Sequence, residues 1–261
     1  MQYETVYRIV QQIKEQRPLM LNITNQVTMG FVANGLLSLG ASPIMTQGLA
    51  EIRDLIHLSD GIIINIGTLT DEFLALCEQA CLVANELGKP IIFDPVGAGA
   101  SQYRTQACLH LLKQYQFATI RGNASEISAL CRSTYTTKGV DASITTAEAL
   151  DTATCFSTEY KVVLVISGQT DAVIQGTQIN LFARGSELMP AITGSGCLLT
   201  AIIGAFQACS SDAYLAACAA VVFYGICGER AAYLAEGPGS FKVHFLDTLA
   251  KLPQRGDYDH E

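Results

Sequence analysis

Three short stretches concentrate residues able to do chemistry. The sharpest is "ITGSGCLLTA" (192–201), where two glycines and two hydroxyl residues lead into Cys197 and an apolar run follows at once. The first N–H groups of a helix have no internal partners, and with the helix dipole they form an anion site. A loop over Thr193–Gly196 feeding a helix from Leu198 onward has this form. Gly196 would let a ligand approach the main chain, because no Cβ stands in the way. Cys197 then falls in the first turn, where a thiol's pKa is expected to be lowered. The stretch alone leaves four roles for Cys197: nucleophile, metal ligand, redox thiol, or small residue at the mouth of an anion pocket.

The second stretch, "FDPVGAGAS" (93–101), puts Asp94 at the end of an apolar run, with Gly97 and Gly99 allowing close backbone approach. It is not a dinucleotide fingerprint, since Pro95 intervenes and position 102 is Gln, and the chain contains no G-x-x-x-x-G-K-[ST] phosphate loop. Asp94 either serves a ligand or holds the turn. The third, "IRGNASEISAL" (120–130), sets Arg121 just after a strand. Asn123 and Glu126 have the spacing of a capping box. Glu126 could equally stand near a hydrated Mg²⁺, which keeps several waters and needs few carboxylates. Arg121 could meet a phosphate with its fork of donors.

The elements that must position these residues alternate. Apolar runs at "LMLNI" (19–23), "SPIMT" (42–46), "GIIINIG" (61–67), "IIFDP" (91–95), "ATIRG" (118–122) and "KVVLVIS" (161–167) read as strands. Helical periodicity separates them. After Thr70, a capping residue with Asp71 and Glu72 behind it, the positions Phe73, Cys77, Ala80, Ala84 and Leu87 mark one face. Continuously apolar strands separated by helices predict an α/β fold with a mostly parallel sheet covered on both faces. "DAVIQGTQINLFARG" predicts a hairpin turning near Gly176, and Ser195 to about Leu252 reads as helical. The tail "PQRGDYDHE" is polar and is expected to fray. No linker or repeat interrupts the chain, so residues 1–261 read as a single domain. Ligands of such sheets bind beyond the carboxyl ends of the strands, which here carry Asn, Thr, Gly, Asp94 and Arg121.

Composition narrows the function classes. The 261 residues are 49% hydrophobic and 15% charged, which excludes disorder, and the net charge of -8 argues against nucleic acid as a partner. The N-terminus lacks the basic-then-apolar pattern of a secretory signal. The uncharged stretch Leu188–Ser211 is interrupted by Pro190 and "TGSG", so it reads as a buried helix and not a membrane span. The nine cysteines form no CxxC pair, which argues against zinc, and an odd number fits reduced thiols in the cytoplasm. Cys77 and Cys81 are expected in the core. A thiol-nucleophile enzyme such as an acyl transferase would need a histidine beside Cys197. None of His57, His110, His244 and His260 follows a predicted strand.

In this order, "DPVGAGAS", "IRGNASEI" and "TGSGCLLTA" resemble the hydroxyethylthiazole kinases of the ribokinase-like superfamily. The resemblance extends to "NITNQVTMGFVANGLLSLGASPIM" (22–45) and "INIGTLT" (64–70), and covers most of the chain. It implies a single ribokinase-like layered sandwich, transfer of the γ-phosphoryl of ATP to the hydroxyl of 4-methyl-5-(2-hydroxyethyl)thiazole, and a homotrimer with thiazole pockets between subunits. By motif, Met45 and Gly194 correspond to substrate contacts, with Asn25, Gly67 and Thr68 lining the pocket. Arg121 and Ser167 correspond to nucleotide contacts, with Gly196 in the phosphoryl loop, and Asp94 and Glu126 to the Mg²⁺ and phosphate carboxylates. The family often has Thr where Ser167 stands, and the hydroxyl is kept. Cys197 occupies the place of the wider superfamily's Asp base, a position where thiazole kinases often carry Cys. It would lie beside the substrate hydroxyl and help accept its proton. Two alternatives remain: a kinase for a related alcohol such as hydroxymethylpyrimidine, and a non-catalytic thiazole or nucleotide binder.

Overall fold

The computed structural model describes residues 1–134 and 146–258. Its centre is an eight-stranded sheet of β1 (Leu19–Ile23), β2 (Ser42–Met45), β3 (Gly61–Asn65), β4 (Ile91–Asp94), β5 (Thr119–Asn123), β6 (Val163–Ser167), β7 (Asp171–Gln175) and β8 (Gln178–Phe182). Their spatial order is β2, β1, β3, β4, β5, β6, β7, β8. The pairs from β2 through β6 are parallel, and β7 and β8 add an antiparallel ribbon. All six apolar runs are strands, and the hairpin turns at Gly176 (φ 55°) as its sequence requires.

Strand alternation divides the core in two. Ile63, Ile92, Val163 and Val165 point to one face, where α1 (Tyr3–Gln16), α2 (Met29–Leu39), α8 (Ser195–Ala208), α9 (Ala213–Leu234) and α10 (Pro238–Leu249) pack. Ile62, Ile64, Ile91, Phe93 and Leu164 point to the other, under α3 (Ile52–Leu58), α4 (Asp71–Glu86), α5 (Gln102–Gln114), α6 (Ala124–Thr134) and α7 (Thr146–Tyr160). Thr70 caps α4 by accepting from the Phe73 N–H at 3.1 Å. Cys77 and Cys81 are fully buried, whereas Leu87 is exposed. The chain leaves β1 toward one edge and returns to pair β3 on the other side of β1. The helices after β1 and β3 therefore lie on opposite faces, and a crevice opens between those two strand ends.

Two expectations about segments are refined. Of the two starts the sequence offered, Ser195 and Leu198, helix α8 takes Ser195, because Gly194 adopts the left-handed conformation (φ 93°) and turns the chain into the helix. Through Tyr258 the tail does not fray as its polarity suggested: Pro253 and Tyr258 are buried, and a short 3₁₀ turn spans Arg255–Asp257, while residues 259–261 lie outside the described residues. Among the described residues α9 is the one helix long and apolar enough to cross a membrane, and 78% of its most apolar window is buried inside the fold.

Helix α8 runs directly over β3 and β4, and Gly204 is the point of closest approach. A Cβ there would lie 2.5 Å from Ile63 Cδ1 and 3.0 Å from Met20 Cε. Gly204→Val is expected to lower stability by roughly 1–3 kcal/mol through overpacking. The check is a reduced urea midpoint at unchanged slope.

Candidate active site

The residues singled out by sequence meet at the carboxyl rim of the sheet. Asp94, the last residue of β4, is fully buried. Its Oδ2 accepts from Asn65 Nδ2 and from Thr200 Oγ1, each at 2.8 Å, and Arg121 Nη1 lies 3.9 Å away. Its Oδ1 is buried with no hydrogen-bond partner. Burial pushes the carboxyl up to about 6, against the pull of Arg121 and of the Thr200 and Asn65 donors.

From Asp94 a chain of amides reaches the thiol. Asn65, at the end of β3, accepts from Asn25 Nδ2 at 2.9 Å and from the Gly67 N–H at 3.0 Å. Asn25 Nδ2 also donates to Cys197 Sγ at 3.4 Å, and Asn25 Oδ1 accepts from both the N–H and the hydroxyl of Thr28 at 3.0 Å. Thr68 accepts from the Gln26 N–H at 3.2 Å, which ties the loops after β1 and β3 together. Asn25, Gly67, Thr68 and Cys197 thus share the crevice. Met45 ends the edge strand β2, level with Asn22 of β1 and half-buried, one strand outside that web. Gly194 is required twice, by its left-handed backbone and by α2: a Cβ there would lie 2.9 Å from Thr28 Cβ.

Cys197 is the third residue of α8, yet its thiol is not acidified. Burial pushes it above its ordinary value and the Asp94 charge adds to this; the hydrogen bonds from Thr28, Asn65 and Asn25 oppose the rise and are outweighed. The lowering expected at a helix start is overturned, because that position also removes the thiol from water beside a carboxylate. Its partners are amide and hydroxyl groups. Of the described histidines, His110 pairs with Glu78 on the surface, and His57 and His244 lie within α3 and α10. A thiolate nucleophile activated by imidazole does not fit this arrangement.

On the other side of α8 lies a cleft of about 720 Å³, bordered by Arg121, Ser167, Asp171, Arg184, Gly196 and Tyr224 among others. Arg121 is nine-tenths buried, donates to Ser167 Oγ, and leaves its Nε without a partner. Its guanidinium lies against Gly196, where a Cβ would approach Nη1 to 2.5 Å. The open main chain expected at Gly196 is therefore covered by Arg121. Asp171 holds the turn after β6 by accepting from the Gly168 N–H at 2.9 Å, and burial pushes its carboxyl up to about 6.

Glu126 is fully engaged. Its Oε1 accepts from the Gly97 N–H at 2.9 Å and its Oε2 from the Asn123 N–H at 2.8 Å. Asn123 Oδ1 returns the bond to the Glu126 N–H at 2.9 Å, which completes the capping box. No group of three or more metal-ligating side chains gathers among the described residues. Sequence reasoning missed two supports. Arg104 of α5 donates to the carbonyls of Ile66, Val96 and Gly67 at 2.9–3.0 Å, pinning the loops after β3 and β4. Tyr224 of α9 donates to the Ser195 carbonyl at 2.6 Å, fixing the first turn of α8.

The chain as a whole has known relatives. Residues 10–255 match the sequence model of the "Hydroxyethylthiazole kinase family". The chain belongs to that family. A protein of Desulfotalea psychrophila named hydroxyethylthiazole kinase is 42% identical over 243 residues, covering 93% of this chain and 89% of that one. A solved hydroxyethylthiazole kinase from Pyrococcus horikoshii superposes with a TM-score of 0.90 at 35% identity, over 98% of this chain and 97% of its own. A ribokinase-like superfamily protein from Enterococcus faecalis shares the fold at 11% identity, with a TM-score of 0.68, over 97% of this chain and 96% of its own. The hydroxyethylthiazole kinase family thus has a ribokinase-like mixed sheet here, flanked by helices on both faces.

Folding works against the charge on Asp94. A carboxyl whose pKa rises in the fold loses stability as pH climbs through the interval between its unfolded and folded values, here 3.8 to about 6. A rise of about two units corresponds to up to about 3 kcal/mol above that interval. Asp94→Asn is expected to raise the melting temperature at pH 8, with the gain shrinking below pH 6 and disappearing near pH 4. Thermal unfolding followed across that pH range measures it.

Proposed function

We propose that this chain transfers the γ-phosphoryl group of ATP to the side-chain hydroxyl of 4-methyl-5-(2-hydroxyethyl)thiazole, the salvage step for the thiazole half of thiamine. The observation that carries the reading is the position of the α8 N-terminus. Its first turn is the wall shared by the crevice holding Asn25, Gly67, Thr68 and Cys197 and by the cleft bordered by Arg121 and Ser167. An alcohol on one side and a triphosphate on the other would meet at that turn.

The roles follow from chemistry. Asn25, Met45, Gly67, Thr68 and Gly194 shape the thiazole side. Arg121, with its unpartnered Nε, and Ser167 would take the nucleotide phosphates, and the first-turn N–H groups of α8, which have no intrahelical acceptor, would serve the transferring group together with the Arg121 guanidinium that lies against Gly196. The orphaned Oδ1 of Asp94 would suit a hydrated Mg²⁺, and Glu126, both of whose oxygens already accept backbone N–H groups, would contribute its charge to the metal's water shell. When bound, Mg²⁺ neutralises charge on the phosphates. Phosphoryl transfer has a loose transition state, so the alcohol's proton can leave late and positioning dominates. Cys197, a neutral thiol, holds the hydroxyl in line by hydrogen bonding, and the alcohol's proton passes to an oxygen of the transferring phosphoryl group as the new bond forms.

The homotrimer implied by the family resemblance is part of this proposal. Large exposed hydrophobics lie in the segments that flank β2 in the chain: Val27 at 71%, Leu37 at 59%, Leu49 at 56% and Leu58 at 66% exposed. A cytoplasmic setting agrees with the nine free cysteines.

A coupled assay with ATP, Mg²⁺ and the hydroxyethylthiazole tests the activity; binding of both without turnover would make the protein a binder. Cys197→Ala is expected to slow turnover by roughly tenfold to a hundredfold without abolishing it. Cys197→Asp is expected to keep activity, since an ionised carboxylate can hold the hydroxyl in line and can also accept its proton. Complete loss in Cys197→Ala with both ligands still bound, or a phosphorylated thiol in the intact mass of the wild type, would contradict the positioning role. Asp94 also predicts a limb in kcat/KM that falls as pH drops through about 6.

A further inference from the structure

The C-terminal segment is tied to one wall of the nucleotide cleft. That wall is the loop after β8, from which Arg184, Gly185, Ser186, Glu187, Met189 and Pro190 border the cleft. It has no regular secondary structure to hold it, and its attachments come from α9 and from residues 253–258. The Arg184 guanidinium donates to the Asp257 carbonyl, and its Nε forms an ion pair with Glu229 at 3.4 Å. Glu229 in turn accepts from the Gly185 N–H at 3.0 Å. The Asp257 carboxylate pairs with Arg230 of α9 (Nε to Oδ1, 2.9 Å) and closes its own turn by accepting from the Gln254 N–H at 3.3 Å. The Tyr258 ring stacks edge-on against Tyr3 of α1, with centroids 5.4 Å apart. Helix α9 offers two glycines to the loop: a Cβ at Gly225 would lie 2.6 Å from Arg184 Cβ, and one at Gly228 would lie 2.5 Å from Met189 Sδ.

We infer that the 3₁₀ turn around Asp257 is a positioning device for nucleotide binding: by holding Arg184 it keeps the wall of the cleft formed before ATP arrives. The inference rests on the reading of this cleft as the nucleotide site. It concerns Asp257 and Tyr258, which lie beyond the residues 10–255 matched to the family. A loop released from its anchor must be ordered by the ligand, and each ordered side chain weakens binding by about 0.5–1.5 kcal/mol. The thiazole crevice lies on the far side of α8 and shares none of these bonds. The effect is therefore expected in affinity for ATP and not in affinity for the alcohol or in turnover at saturation.

The test measures binding of a non-hydrolysable ATP analogue with Mg²⁺ by calorimetry, for the full chain, for a chain stopped after Leu252, and for Asp257→Ala. Asp257→Ala keeps the test available if the shortened chain does not fold, because it opens the turn with the tail still present. The expected result is analogue binding weakened roughly three- to tenfold in either variant. KM for the thiazole and kcat at saturating ATP should stay within about twofold. Arg184→Met should weaken analogue binding to a similar degree and add little when combined with Asp257→Ala, because both cut one linkage. Unchanged analogue affinity in Asp257→Ala and the shortened chain, or effects of Asp257→Ala and Arg184→Met that multiply, would overturn the brace. Failure of the wild-type chain to bind the analogue would instead overturn the nucleotide reading beneath it.

Discussion

A carboxylate without exposed surface stands where β4 ends and α8 begins, and the rim of the sheet is organised around it. Asp94 is held by Asn65 from β3, Thr200 from α8 and Arg121 from β5. Each of those partners fixes a further feature. Asn65 sets Asn25 and so the thiol; Thr200 fixes the height of α8 over the strands; Arg121 lies across Gly196 and borders the cleft. A buried charge is tolerated only when its hydrogen bonds are supplied, and here one oxygen has two donors while the other has none. On the proposed reading, the imbalance leaves that second oxygen for a hydrated Mg²⁺.

The same low-dielectric setting decides the character of Cys197. A helix start acidifies a thiol when the thiol is exposed to water or faces a cation. This one faces a carboxylate and a set of amides, and it is partly withdrawn from solvent. Two groups in one pocket therefore move in the same direction, each disfavouring its own charge. The local positive charge comes from Arg121, 3.9 Å from the Asp94 carboxylate. Glu126 works at the margin of this balance, using its charge to bind backbone N–H groups and shape the Gly97 turn.

Much of this was legible in the chain because the strands are apolar on both faces and punctuated by Gly, Pro and Asn. The placement of Asn25, Asp94, Arg121 and Ser167 at one rim follows from the parallel order alone. What escaped depends on distant partners. Which of its two candidate starts α8 takes is decided by Gly194, which turns left-handed against Thr28, far away in sequence. Arg104 and Tyr224 look like ordinary helix residues until the carbonyls they serve are in place. The tail reads as solvated from composition, yet Tyr258 is covered by Tyr3 from the other end of the chain. The local rule for thiol acidity failed for the same reason, since burial is a property of the assembled fold.

The antiparallel ribbon has a topological consequence for how such a protein can vary. Strand β6 reaches the ligand rim at Ser167, β7 leaves it, and β8 returns to it at Phe182. One excursion therefore delivers both the turn held by Asp171 and the loop carrying Arg184 to the same cleft. An even number of antiparallel strands is what brings the chain back. Length added at the distal turn around Gly176, or whole strand pairs appended there, would widen the sheet and leave both walls in place. A single added or deleted strand would send the second wall to the opposite rim. Variation at this edge of the fold is thus quantised in hairpins, and the turn opposite the cleft is where an insertion disturbs it least.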